Sequence, residues 1–331
     1  MKNKQIVGID VSKNVLDVYI LQLKYHFMVS NNPSGFVNLI EVCTEKLRDD
    51  MPNILFCFED TGRYSKLLSV FLEDTCFRFS ALNALDIKRS IGLTRGKSDK
   101  KDAKLIALYA WRKREEIEPT ILAGPVFDQL KRLLTLREKL IRHRTAYKNA
   151  GKDLYDCYRE NENSFIKECQ NRMLDNLNSE IEKTENEIHG IINENEDLSR
   201  NFKLLLSIKG IGKVLAMYFI TLSENFQKFD NPRKFACYAG IAPFEYTSGT
   251  SIKGKTRVHP CANRQIKSLL NMAAMASIQL KGEYQTYYQR RLKEGKNKMS
   301  TLNIIRNKLV FRAFAVIKRG TPYVDLSKFA A

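Results

Sequence analysis

Residues 5–21 read QIVGIDVSKNVLDVYIL. An apolar run ending at Asp10, a polar Ser12-Lys13-Asn14 turn and a second apolar run at 16–21 predict two antiparallel strands joined by a tight hairpin. A weaker run at 26–29 continues the meander. Beyond it the pattern changes. NNPSGF is a loop into a helix near 35–48, with Ser34 as N-cap, and NILFCFE (53–59) is a buried strand. A helix follows near 64–74, FRFSAL (77–82) is another strand, and a last helix runs from about 98 to 113. Hairpin strands followed by strand–helix alternation predict a mixed α/β sheet over residues 1–125.

The acids of this segment fall at chemically suggestive places. Asp10 and Glu59 each stand at a strand end, and Asp99 and Asp102 lie in GKSDKKDA (96–103), three apart on a predicted helix and so on one face. Gathering like charges raises carboxylate pKa values and costs free energy, which a divalent cation removes. Mg²⁺, or Mn²⁺, prefers such hard oxygen ligands and retains waters for a substrate phosphate. Two such ions roughly 4 Å apart would activate an attacking oxygen and stabilise the leaving one. Lys97, Lys100 and Lys101 would then form a rim toward a phosphate backbone. The plainer alternative is a solvated charged helix and structural strand-end acids. The set, in the order strand–Asp–hairpin, strand–Glu and helix-borne D-x-x-D, favours the metal site, and that order resembles a ribonuclease H-like fold of the RuvC type.

The chain has 331 residues and a net charge of +18. That charge is uneven. Residues 1–125 carry +3, residues 126–200 carry −2, and residues 201–331 hold 23 basic against 6 acidic side chains. Such an excess points to a polyanion, and nucleic acid suits it better than a membrane surface, since no amphipathic anchor helix stands out. No run of 18 apolar residues appears, and the first residues lack the pattern of a signal peptide. Seven cysteines without a C-x-x-C pair read as thiols of a reducing cytosol, so a cytoplasmic protein is expected. Four scattered histidines argue against a zinc site.

Residues 126–200 form a separate segment. Phe127, Leu130, Leu134 and Ile141 fall at helical spacing, with a second row at Leu133, Leu136 and Leu140. After a break, Ile166, Cys169, Met173, Leu177, Ile181, Ile188 and Ile191 recur at helical multiples. Two long antiparallel helices follow, either a coiled-coil-like arm or a pair within a bundle. Residues 126–152 carry +6 and 153–200 carry −8, so the two helices attract each other or the first touches nucleic acid. Residues 201–331 are expected to be mainly helical. Their GIG turn at 210–212 lies between apolar stretches, a helix–hairpin–helix pattern. With Lys209 and Lys213 flanking Gly210 and Gly212, phosphate contact is favoured over a plain tight turn.

GIDVSKNVLDV, EDTGRY (59–64), KSDKKDA, SIKGIGKVLA, FACYAGIAP and TSG (247–249) stand in the order found in the DEDD insertion-sequence transposases of the "one-ten" family, which also contains Piv-type DNA invertases. The chain resembles that family over nearly its whole length. The resemblance implies a RuvC-like catalytic domain (1–125), a coiled-coil arm (126–200) and a C-terminal transposase domain (201–331). Its four acids map to Asp10, Glu59, Asp99 and Asp102, with Asp60 the neighbour open to confusion with Glu59. Its S-G serine maps to Ser248, with Ser251 as competitor, in a polar loop ahead of Lys253, Lys255 and Arg257. The implied activity is cutting and rejoining donor and target DNA through a phosphoserine link, guided by an element-encoded bridge RNA, in a dimer or tetramer. Rival readings are a Holliday-junction resolvase or metal nuclease using water, an invertase without guide RNA, and a non-enzymatic nucleic-acid binder.

Overall fold

The computed structural model describes residues 5–48, 53–91, 98–157, 164–248, 252–258 and 262–324. The chain divides into two compact units, Met1–Leu122 and Ala123–Ala331.

The first unit opens with the expected meander: β1 (Gln5–Val11), β2 (Val15–Ile20) and β3 (Tyr25–Ser30). Helix α1 (Pro33–Leu47) follows, capped by Asn32, whose side chain accepts from the Gly35 N–H. The cap is therefore Asn32 and not Ser34, because a helix starting at Pro33 places Ser34 inside its first turn. Then come β4 (Ile54–Glu59), α2 (Lys66–Asp74), β5 (Phe79–Leu82), α3 (Ala84–Ile91) and α4 (Asp99–Arg112). Among the described residues the strands make one sheet in the order β3-β2-β1-β4-β5, with β1 antiparallel to β2 and parallel to β4. This is the mixed sheet expected, and it is consistent with a RuvC-like domain.

Strand alternation separates its two faces. Val7, Ile9, Leu16, Val18, Phe56 and Phe58 pack under α1 and α2 with Phe36, Leu39 and Leu68. Ile6, Tyr19, Leu55 and Cys57 face the other way, against Ala103, Ile106, Ala107 and Ala110 of α4. Each fully buried Phe or Leu contributes about 1.5–3 kcal/mol, so the register is firmly set by both faces.

The second unit begins with α5 (Pro125–Cys157) and α6 (Ser164–Glu194). Arg137 pairs with Glu185 at 2.6 Å, Arg144 bonds Asn178, and Gly151 lies against Gln170. Seven residues up one helix match seven or eight down the other, so the pair is antiparallel, and basic α5 meets acidic α6. Leu130, Leu134, Ile188 and Ile192 join the core of the remaining helices. Those are α7 (Glu196–Leu206), α8 (Lys213–Leu222), α9 (Pro232–Tyr238), α10 (Arg264–Gln279), α11 (Glu283–Lys293) and α12 (Lys298–Arg319). Between α9 and α10, β6 (Phe244–Ser248) and β7 (Ile252–Arg257) form an antiparallel hairpin where the sequence suggested a loop. Among the described residues no helix is long and apolar enough to cross a membrane.

Candidate active site

Asp10 shares its strand face with Ile6 and Gly8, the face covered by α4. At Gly8 the helix touches the strand: a Cβ there would fall on the Ala103 carbonyl and 2.6 Å from the Ala107 N–H. Ala103, Ala107 and Ala110 give α4 a smooth buried side that permits this approach. The helix start is fixed by Ser98, whose Oγ accepts from the Lys101 N–H at 3.4 Å. Asp99 and Asp102 thus occupy the first turn, where the helix dipole favours negative charge, and close on the end of β1.

Carboxylate oxygens of Asp10, Asp99 and Asp102 all lie within 4.8 Å of one another. Partial burial, followed by repulsion from Asp102, Asp99, Asp17 and Glu59, pushes the Asp10 carboxyl from its ordinary 3.8 to about 6. Three hard oxygen donors that repel each other at this spacing suit a divalent cation. The donor set therefore fits a divalent ion.

Glu59 ends β4 on the same face as Leu55 and Cys57, paired in register with Leu82. It lies outside the 4.8 Å group yet adds to the field at Asp10. Its neighbour Asp60 is engaged elsewhere: its Oδ1 accepts from the Gly62 N–H at 3.0 Å and from Ser65 Oγ at 3.4 Å. Gly62, with φ of 68°, completes that turn. The turn takes Asp60 and leaves Glu59 as the acid facing α4.

A fifth acid escaped the sequence reading. Asp17 stands directly opposite Asp10 across the β1–β2 ladder, only 7% exposed, and bonds His26 Nε2 at 2.8 Å. Strand parity was the available signal, since opposite residues of an antiparallel pair share a face. Lys100 and Lys101 are exposed on the first turn of α4, while Lys97 lies outside the described residues.

In the second unit, α7 and α8 flank the glycine turn. Gly210 has φ of 94°, and a Cβ on it would overlap Ser277 Oγ on α10, so this glycine serves close packing of the turn. Gly212 caps α8 with no side-chain bond and with open space around it. Lys213 beside it is exposed and Lys209 half-buried. Ser248 is the last residue of β6, opposite Ile252 in the hairpin, and Lys253, Lys255 and Arg257 belong to β7. Only the backbone of these four positions is described, and Ser251 lies outside the described residues. The acids and Ser248 fall in different units.

Comparison with known proteins adds independent findings. Residues 7–158 match a DEDD-type family model described as "Transposase", and residues 202–289 match "Transposase IS116/IS110/IS902 family". The chain is 25% identical to the "Pilin gene-inverting protein" of Moraxella lacunata, over 97% of this chain and 98% of that one. The protein of the same name from Moraxella bovis matches equally. An "Insertion element IS110 uncharacterized 43.6 kDa protein" of Streptomyces coelicolor is 31% identical over 36% of this chain and 29% of its own length.

Proposed function

The chain belongs to the IS116/IS110/IS902 family of transposases and is a DNA recombinase, and on that premise we propose that it cuts and rejoins DNA by a cation-assisted serine mechanism. The observation that carries this reading is the convergence of Asp10, Asp99 and Asp102 within 4.8 Å on one sheet face. Asp10, Asp99 and Asp102, with Glu59 reaching in from the adjacent strand, would hold Mg²⁺ or Mn²⁺. When bound, the ion supplies charge neutralisation at a phosphate and at a departing oxygen.

Ser248 is the nucleophile in this reading. Its Oγ forms a bond to phosphorus as the bond from phosphorus to the departing strand's deoxyribose oxygen breaks. The hydroxyl proton is lost and the departing oxygen gains one, so no net oxidation or charge change occurs. Attack of a new strand's hydroxyl on the phosphoserine reverses the step and restores the serine. Because the acids and Ser248 belong to different units, the two units must meet for the reaction to proceed. That requirement keeps the free chain inactive.

Further parts of the reading concern partners. The α7–turn–α8 element acts as a helix–hairpin–helix, with the uncapped Gly212 end of α8 toward a phosphate and Lys213 beside it. The α5–α6 pair is a coiled-coil arm that joins copies of the chain into a dimer or tetramer in the cytoplasm. The basic excess after residue 200 serves donor DNA, target DNA and a structured bridge RNA whose pairing supplies sequence choice. Full-length similarity to pilin gene-inverting proteins favours a second reading, in which the same chemistry inverts a segment without RNA.

The test is adduct trapping on labelled element-end DNA with wild type and Ser248→Ala. Wild type should yield a protease-sensitive protein–DNA product, and the variant none. Continued strand cleavage by Ser248→Ala would instead establish a water nucleophile and a resolvase-like enzyme.

A further inference from the structure

Among the described residues two arginines are buried to the same degree, and they are solved differently. Arg137 is 7% exposed and meets the Glu185 carboxylate at 2.6 Å. Arg306, on α12, is 6% exposed and meets no carboxylate among the described residues. Its Nη2 donates to Asn271 Oδ1 at 2.6 Å and its Nη1 to Asn303 Oδ1 at 3.4 Å, while its Nε is enclosed with no partner. Burial lowers its pKa from the ordinary value, and no neighbouring charge contributes. A guanidinium nonetheless stays protonated in proteins, so this is an uncompensated buried cation. Buried charges are normally paired, because an unpaired one is among the costliest features a fold can carry.

The surroundings point to what would pair it. Asn271 on α10 and Asn303 on α12 are half-buried and mark the solvent edge of the seam between these helices. Both offer neutral amide oxygens, so the cation's charge is unmatched and its hydrogen-bonding only partly met. The amide of Asn303 also donates to the Ile241 carbonyl at 2.8 Å, and Asn307 donates to the same carbonyl at 3.0 Å. Ile241 lies three residues before β6, the strand that ends in Ser248. Lys267, one turn before Asn271 on α10, packs beside Gly240 at the same place. The stem of a lysine and a planar guanidinium fork therefore stand at the base of the serine hairpin. A tetrahedral dianion or a phosphodiester matches that fork bidentately.

We propose that Arg306 is a phosphate-binding residue of the second unit, holding a nucleic-acid backbone phosphate at the base of the β6–β7 hairpin. The proposal rests on the recombinase reading for its ligand, though the anion site itself does not. Asn271 and Asn303 occupy the fork in the free chain and turn aside when the phosphate enters. The free protein thus carries an unmatched charge that nucleic acid compensates.

The test uses the full chain, with Arg306→Met and Arg306→Lys, and three measurements. Thermal melting is followed against inorganic phosphate, then against a duplex oligonucleotide, and adduct formation on element-end DNA is quantified. Wild type should be stabilised saturably by both probes. Arg306→Met should melt no lower than wild type without ligand, lose the phosphate response, and form the adduct about 100-fold less. Arg306→Lys, which keeps the charge without the fork, should fall between them. A lowered melting temperature of Arg306→Met with an unchanged phosphate response would show a purely structural arginine and overturn the proposal. A lost phosphate response with oligonucleotide binding and adduct intact would mean a free-phosphate site, which also overturns it. If Ser248→Ala forms adduct normally while the phosphate response still needs Arg306, the serine reading fails and the anion site stands.

Discussion

The first unit brings negative charge together, and the second unit leaves positive charge apart. In the first, Asp10, Asp99 and Asp102 converge because Gly8 and the alanines of α4 bring a helix start down onto a strand end. The repulsion is concentrated at one point, where a proton or a cation would relieve it. In the second, 23 basic and 6 acidic side chains after residue 200 are spread along the chain, and the one deeply buried cation without a carboxylate, among the described residues, is Arg306. A site that must be neutralised by a small ion is compact. One that must follow a polymer of phosphates is extended. With the ligands proposed above, each unit holds charge that its ligand would balance, which would make stability a readout of binding in both.

The largest expected effect comes from emptying the acid cluster. Asp10→Asn should reduce recombination by about 10³-fold, the worth of several kcal/mol of cation-borne stabilisation. Its effect on the ligand-free fold has the opposite sign. The folded pKa of about 6 exceeds the ordinary 3.8, so ionised Asp10 costs stability. That cost is absent below the unfolded value and complete above the folded one. Without cation, Asp10→Asn should therefore match wild type near pH 4 and melt progressively higher than it as pH rises through 6. Adding Mn²⁺ at pH 7.5 should raise the wild-type melting temperature and leave the variant unmoved. A variant that melts lower than wild type at pH 8 without metal would mean that the acids are held by structure and not by a missing ion.

Gly8→Ala tests how the cluster is built. The new methyl meets backbone of α4, which has no flexible end to swing aside, so a cost of about 2–3 kcal/mol is expected. Displacing α4 also moves Asp99 and Asp102 from Asp10, and Mn²⁺ affinity should fall about tenfold, the usual penalty for disturbing what orients metal ligands. Urea unfolding and a Mn²⁺ titration separate the two effects. Loss of stability with unchanged Mn²⁺ affinity would show that the acids hold their places independently of the helix approach.

The convergence of Asp10, Asp99 and Asp102 was legible because two periodicities place them: alternation along β1 and the three-residue step on α4. The motif favours Glu59 over Asp60, and in the structure Asp60 is engaged in the turn at Gly62. Gly8 was not legible, since its need arises from a helix nearly a hundred residues later. Asp17 was missed although the hairpin turn at 12–14 already sets it across from Asp10, since a single acid in a strand stands out only once that register is followed. The β6–β7 hairpin read as loop from its Gly, Ser, Thr and Lys content, which hides strand pairing made by the backbone. Helices α11 and α12 went unread because their polar and basic faces blur the apolar period, although Leu302, Ile305, Leu309 and Val316 do follow it. Arg306, one step from Ile305, was simply one arginine among many.

The smallest effect, and the sharpest internal comparison, concerns two glycines of one turn. Gly210 has φ of 94° and lies against Ser277, whose Oγ bonds the Ala273 carbonyl at 2.7 Å. Alanine there must adopt a left-handed backbone, costing about 1–2 kcal/mol, and must also displace that hydroxyl. Gly212 has φ of −91° and open space, so alanine there is unstrained and costs at most about 1 kcal/mol, the ordinary deficit of alanine at an N-cap. What Gly212→Ala adds is a methyl over the uncapped N–H groups of α8, where a phosphate would approach. Gly210→Ala should thus appear in the melting curve, and Gly212→Ala in DNA affinity at low salt, as a loss of a few-fold. Were Gly212→Ala to bind DNA as wild type does, the turn would be a packing device alone, and the basic surface of the second unit would have to hold DNA without it.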